Sequence, residues 1–411
     1  MQRLGFLKHL LWRAAQSATN NLSTLGNELI DAVSKKISVA LSSHLQEYIK
    51  KVLTDPIYKN LRTIALESYE QNSNKPAIQV ELQDFYLTDP EIPSHRGKLT
   101  RDNWNKYPYL ALNLGLLRKG TYSLLVRGQS FLVLCSEKEK MSFVKEKIIS
   151  PEDESNPFQL NIPQKLLLLF SFLERDGDIL MLFYRNLLSI STPFSDREAG
   201  AYLPEIYRDI VKKHRTKVRS GDDLLRIQRL LDTADKIEKW TKIKPTGGTN
   251  ILTDSVTPRL EPFVDLGLLS KPDSFAYCYQ ITELTKIFFE SFINAESISH
   301  FLQNYFFGTS CKVYCPNVEH RDNQENILPA IQKAYNVLKS PLGYVPIIEL
   351  SLLAGIYSVT EKNFYFELSE SLKTLKSLQK ENPQLIRFNV DRWGTLTFVK
   401  FKGDITKVIG G

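Results

Sequence analysis

A metal-dependent nuclease of the common restriction type needs an Asp followed by Glu-x-Lys, so that two carboxylates hold a divalent cation and the lysine orients the attacking water. The 411-residue chain contains no Glu-x-Lys triplet. Gly355-Ile356-Tyr357 has the form of the first half of another nuclease motif, but no Tyr-Ile-Gly follows it. Nucleotide hydrolysis through a P-loop requires Gly-x-x-x-x-Gly-Lys-Ser/Thr, whose backbone amides cradle phosphate. The one Gly-Lys pair, Gly97-Lys98, lacks both the upstream glycine and the hydroxyl. Cys311, Cys315 and His320 form a Cys-x3-Cys-x4-His cluster without the second tight ligand pair of a structural zinc site, and the two thiols read as small buried cysteines on a hairpin. Six scattered histidines nominate no Ser/His/Asp set. These residues predict no catalytic centre, no metal and no cofactor.

Cations are the more informative residue type. Lys plus Arg number 53 against 46 Asp plus Glu, a formal charge of +7, which suits a polyanion partner without reaching the density of a basic tail. Residues 208–219 hold six cations, Arg208, Lys212, Lys213, Arg215, Lys217 and Arg219, against the single acid Asp209. Residues 222–244 nearly balance, with six cations and five acids. The aromatics Phe288, Phe289, Phe292, Tyr305, Phe306 and Phe307 have the spacing of a buried helix face. Trp393 falls at the tip of a predicted hairpin, where it is placed to touch a protein partner. Four cysteines, at 135, 278, 311 and 315, are too sparse for a disulfide framework and point to a reducing, cytoplasmic setting. Apolar stretches such as residues 166–173 are interrupted by charges before the roughly 20 residues needed to cross a bilayer, so no membrane span is expected.

The elements that must position these side chains follow from periodicity. Leu4, Leu7, Leu11 and then Leu25, Ile30, Val33, Ile37, Leu41, Leu45 and Ile49 recur at helical spacing, giving two N-terminal helices. Arg3, Lys8 and Arg13 precede the first acid, Glu28, as in a presequence, but the helical pattern runs on past Glu28 and favours a structural helix pair. Residues 78–86 read as a strand. Residues 150–157, with Pro151 and Pro157, and residues 245–250, with Gly247 and Gly248, read as domain boundaries.

One pattern occurs three times. Leu114-Gly115-Leu116-Leu117 leads through Arg118-Lys119-Gly120-Thr121 into an apolar run from Tyr122 to Val126. Leu266-Gly267-Leu268-Leu269 leads through Ser270-Lys271-Pro272-Asp273 into Phe275 to Ile281. Ala354-Gly355-Ile356-Tyr357 leads through Thr360 to Asn363 into Phe364 to Leu368. A cap-like hydroxyl follows each glycine by 15, 15 and 14 residues, at Ser130, Thr282 and Ser369. A helix that must stop and reverse into a hairpin takes a left-handed glycine at its end, keeps apolar neighbours in the core and joins two strands by a polar turn.

The second copy, Thr257-Pro258-Arg259-Leu260-Glu261-Pro262-Phe263 onward to Tyr279-Gln280-Ile281-Thr282, resembles the recognition helix, wing and following helix of prokaryotic tandem winged-helix proteins. Such units occur in the DNA-recognition domains of restriction and defence systems. The resemblance implies an α+β, mainly helical chain with two to three winged-helix domains: residues 1–53 an N-terminal helical extension, 54–150 the first winged helix, 151–244 a helical linker with the basic run, 245–340 the second winged helix, and 341–411 the third with a C-terminal hairpin. It implies a non-catalytic protein that binds double-stranded DNA, in a prokaryotic antiviral-defence or mobile-element setting. Carried over by position, the first unit offers Arg101, Asn103, Asn105, Lys106, Tyr107, Arg118 and Lys119, and the second Thr257, Arg259 and Lys271. The third helix, placed at residues 346–353, has Glu349 and no cation, so protein packing is its expected use. The alternative is a scaffold subunit of a multi-protein complex whose winged helices bind proteins.

Overall fold

The structure is a computed structural model that describes residues 4–16, 106–136, 139, 160–190, 193–214, 221–242, 255–271 and 278–410. These residues are α+β and mainly helical, with short strands, in keeping with the expected class. The chain divides into two compact units, Met1–Gln164 and Lys165–Gly411, with the division downstream of the break expected at residues 150–157. The second N-terminal helix and the strand at residues 78–86 lie outside the described residues, as do Gly247 and Gly248.

In the first unit, α1 (Phe6–Gln16) packs on α2 (Lys106–Asn113) and α3 (Val126–Val133). Leu7, Leu10, Leu11 and Ala14 share one side of α1 at helical spacing, and all four are buried. The C-terminus of α2 closes as the repeated pattern predicts. Gly115 adopts φ 70°, its N–H donates to Leu112 O at 3.1 Å, and Leu116 N donates to Ala111 O at 2.9 Å. The chain then reverses so that Leu117 and Leu124 pair antiparallel. Ser130 does not cap a helix. It lies within α3, where its hydroxyl donates to Val126 O at 3.0 Å, and Leu125 is the N-cap.

The second unit opens with α4 (Ile162–Leu187, whose first residues belong to the first unit), β1 (Phe194–Ser195), α5 (Asp196–Gly200), α6 (Leu203–His214), α7 (Gly221–Lys242), α8 (Thr257–Asp265), β2 (Cys278–Tyr279) and α9 (Glu283–Ile293). The end of α8 repeats the geometry of α2: Gly267 at φ 77°, Gly267 N to Val264 O at 2.9 Å, and Leu268 N to Phe263 O at 2.8 Å. Ser270 and Gln280 then pair antiparallel, while β2 pairs antiparallel with β1 through Phe194–Tyr279 and Ser195–Cys278. Thr282 caps α9 as predicted, in a reciprocal box with Thr285. The core is aromatic. Tyr184 stacks on Phe289 with centroids 4.0 Å apart and meets Phe263 at 5.1 Å, and Phe288, Phe292 and Phe301 continue the cluster. Tyr305, grouped with these rings in the sequence, faces solvent instead.

The remaining elements are α10 (Ile298–Asn304), α11 (Phe306–Tyr314), β3 (Glu319–His320), α12 (Gln324–Leu338), β4 (Val345–Pro346), α13 (Ile347–Lys362), β5 (Phe364–Tyr365), α14 (Leu368–Glu381), β6 (Ile386–Val390), β7 (Leu396–Phe401) and a 3-10 helix (Ile405–Gly410). The strands β4, β7 and β6 form one antiparallel sheet in that order, and β3 pairs parallel with β5. Cys311 lies on α11 and Cys315 caps its C-terminus, so the two cysteines sit on a helix rather than a hairpin.

The third copy of the repeated pattern is corrected here. Gly355 lies inside α13, and a Cβ at that position would come within 2.4 Å of the Phe307 ring. The glycine is required for close packing, and the left-handed residue that ends α13 is Asn363, φ 55°. The helix expected at residues 346–353 extends to Lys362, and residues 350–359 are all buried. It is a core helix. Ser369 lies within α14, whose N-cap is Glu367.

One succession thus occurs twice in the second unit: a helix, a short strand, further helices, then a helix followed by a hairpin whose returning strand pairs with the short strand. It is α4–β1–α8–β2 in one case, with α5, α6 and α7 between, and α12–β4–α13–α14–β6–β7 in the other.

Candidate nucleic-acid interface

The helix that precedes the hairpin in the C-terminal half is α14, and its two sides differ in kind. Leu368, Ser371, Thr374, Leu375 and Leu378 are buried, while Lys373, Lys376 and Lys380 are exposed. Positions i, i+3 and i+7 lie on one helix face. None of the three lysines is ion-paired with a described residue, whereas the nearby acid Glu370 is held by His320 Nε2 at 2.9 and 3.0 Å. The outer face of α14 is therefore a row of available cations.

The start of α14 is fixed by Glu367, a buried carboxylate. It accepts the backbone N–H of Phe307 at 3.0 Å and of Gly308 at 2.7 Å at the N-terminus of α11, and it forms a reciprocal capping box with Glu370. Burial pushes its carboxyl up to about 7; the two backbone N–H groups pull the other way, the Glu370 charge adds to the rise, and His320 opposes it. One carboxylate thus ties the first turns of α11 and α14 together.

After α14 the chain turns at Asn382–Leu385, with Leu385 N donating to Asn382 O at 3.0 Å, and enters β6. Between Ile386 and Lys402 the charged residues are Arg387, Asp391, Arg392, Lys400 and Lys402, four cations and one acid. Arg387, Arg392 and Lys402 are exposed, and Lys400 lies along the Tyr344 ring with Nζ 5.4 Å from its centroid. Trp393, at the hairpin tip as predicted from sequence, is 69% exposed.

The sequence-nominated residues occupy varied positions. Arg101, Asn103 and Asn105 lie outside the described residues, as do Arg215, Lys217 and Arg219. Lys106 opens α2, and Tyr107 beside it is 1% exposed, so its ring is a core group. Arg118 and Lys119 are exposed on the turn after α2, held by Arg118 N to Ser123 O at 2.8 Å. In the second copy the side chains turn inward. The hydroxyl oxygen of Thr257 is buried. Arg259 contacts Asp176 at 2.6 and 3.1 Å and donates to Tyr207 Oη at 2.9 Å and Ser255 O at 2.6 Å. Lys271 is paired with the buried Glu261, which also accepts from Tyr279 Oη at 2.7 Å. Arg259 and Lys271 serve the packing of α8 and its hairpin. In the basic run, Arg208 pairs with Asp235 and Glu238, Lys212 with Asp209 at 3.4 Å, and Lys213 with Asp178 at 3.0 Å.

Sequence reasoning misses the lysines of α14, because a glycine turn at Gly355 would make residues 346–353 the helix before the hairpin. Their signal was present: Leu368, Leu372, Leu375 and Leu378 alternate with Lys373, Lys376 and Lys380 at helical spacing. Among the described residues no group of three His, Cys, Asp or Glu side chains could hold a metal, and no helix is long and apolar enough to cross a membrane. No protein-family model, no curated protein and no solved structure matches the chain.

Proposed function

We propose that the chain is a non-catalytic, double-stranded DNA-binding protein that lays α14 into the major groove and sets the β6–β7 hairpin against the flanking backbone. The observation that carries this reading is the row Lys373, Lys376 and Lys380, exposed and without acidic partners among the described residues, on a helix whose opposite side is packed. The succession α12–β4–α13–α14–β6–β7 with sheet order β4–β7–β6 corresponds to a winged helix, and α14 then stands in the recognition position. The B-form major groove admits an α-helix, whereas the deep, narrow major groove of A-form RNA does not, which favours DNA. The α4–β1–α8–β2 half supports a second winged helix whose inward-turned Arg259 and Lys271 suit a structural role.

A scaffold reading is favoured by a different observation, the exposed Leu342, Ile348 and Phe398 around β4. Titrating the full chain against a fluorescent random-sequence duplex from about 50 to 200 mM salt separates the two. Changing Lys373, Lys376 and Lys380 together to Glu is expected to abolish most binding, and changing them to Gln to reduce the log-affinity against log-salt slope by about 2 to 3. Undiminished binding by these variants, or no binding by the unaltered chain at low salt, would overturn the proposal. All three side chains are exposed, so circular dichroism and the melting temperature should stay unchanged.

A further inference from the structure

The tip of the β6–β7 hairpin holds a large ring away from any core. The loop that carries Trp393 is fixed by its own backbone: the Asp391 carboxylate accepts N–H bonds from Trp393 at 2.8 Å and Thr395 at 2.9 Å. Asp391 N donates to Thr395 O at 2.9 Å, Gly394 N donates to Asp391 O at 3.1 Å, and Gly394 adopts φ 79°. A pinned loop presents its ring in a set direction, so little order has to be created when something meets it. The Arg392 guanidinium lies 4.7 Å from the Trp393 ring centroid, which covers one face of the indole and leaves the other to solvent.

Two features select what fits that open face. It is planar and aromatic, so a flat π-system stacks on it. The hairpin that carries it is cationic: Arg392 lies beside the ring, Arg387, Lys400 and Lys402 stand toward the hairpin's open end, and the one acid, Asp391, accepts two backbone N–H groups. A planar aromatic group attached to a polyanion is a nucleobase. Inside a fully paired duplex both faces of every base are covered, so only an unpaired or terminal base offers one. The hairpin follows α14 after the turn at Asn382–Leu385, and the five residues of β6 span about 17 Å toward the tip.

From this placement, and resting on the reading of α14 as a DNA-binding helix, we infer that Arg392 and Trp393 form a stacking platform for an unpaired nucleobase in DNA held by that helix. The platform directs the protein to DNA with a bulge, a frayed end or a flap. A base stacked on an aromatic side chain corresponds to about 5- to 150-fold in affinity.

The test uses the full-length chain and two probes of one sequence, each with both ends closed by polyether linkers: a fully paired duplex, and the same duplex with a single bulged 2-aminopurine. The unaltered chain is expected to bind the bulged probe at least about 5-fold more tightly and to quench its fluorescence. Trp393→Ala should bring the two probes to equal affinity and abolish the quenching, whatever affinity it leaves for both, and Trp393→Tyr should restore part of the preference and of the quenching. Equal affinity for the two probes, or a preference that survives Trp393→Ala, would sink the inference while salt-dependent binding of the paired probe left the DNA-binding reading standing. Failure to bind either probe overturns both. A Trp393→Ala variant that keeps the bulge preference but loses self-association in sedimentation would reassign the ring to a protein contact.

Discussion

Glu367 shows how far a single carboxylate can be constrained by where the chain puts it. It caps α14 and accepts from the first N–H groups of α11, yet burial dominates and raises its carboxyl to about 7 from an ordinary value of 4.5. Between those two values the folded chain holds more protons than the unfolded one, so stability falls as pH rises through that window and is level above it. At about 1.4 kcal/mol per unit, the loss from this one group is about 3 kcal/mol. Glu367→Gln should remove that slope, which denaturant titrations of both proteins from pH 4.5 to 8 would reveal; parallel stability curves would refute the assignment. Tyr365, Glu370, His320 and Cys311 surround the same carboxylate, and Glu367→Ala, which strands two backbone N–H groups, should destabilise at every pH.

Glycine plays two different parts in the helices, and only one was readable in advance. Gly115 and Gly267 end α2 and α8 in left-handed conformation with the same pair of backbone bonds, as the Leu-Gly-Leu-Leu strings predict. Gly355 sits in a similar string, yet it lies in mid-helix because the Phe307 ring passes over it. A local pattern carries a φ angle but not the identity of a ring that arrives from 48 positions away in the chain. Gly355→Ala should therefore cost about 1–3 kcal/mol by overpacking, relieved by Phe307→Leu. Gly267→Ala, whose Cβ would meet only Lys165 Nζ at an unstrained 3.7 Å, should cost about 1–2 kcal/mol through backbone strain alone, and no change at a neighbouring side chain should rescue it. Double-mutant cycles in urea separate the two cases. The helix α14 and the hairpin after it are both legible in the sequence, but that the strand before α13 joins the same sheet emerges only when β7 pairs with both β4 and β6. Thr282, by contrast, needed only its own neighbours to cap α9, and the sequence sufficed.

Across the chain, cation count and cation availability part company. The described cations of the conspicuous basic run are matched by acids from their own and other helices, Arg208 by Asp235 and Glu238 on α7, Lys212 by Asp209 and Lys213 by Asp178 on α4, whereas the sparser lysines of α14 face no such partners among the described residues. Replacing Lys212 and Lys213 with Gln should change the salt slope of DNA binding by less than about 1, well below the effect of neutralising α14; an equal or larger change would return the basic run to the interface. The aromatic core of the second unit also sets a timetable for the newly made chain. Tyr184 on α4 finds its stacking partner, Phe289 on α9, only about 100 residues later, and at about 5–20 residues per second a ribosome takes about 5–20 s to supply it. Throughout that interval the apolar side of α4 is synthesised but uncovered, which makes the nascent chain a client for holding chaperones and exposes it to aggregation when translation stalls between α5 and α8.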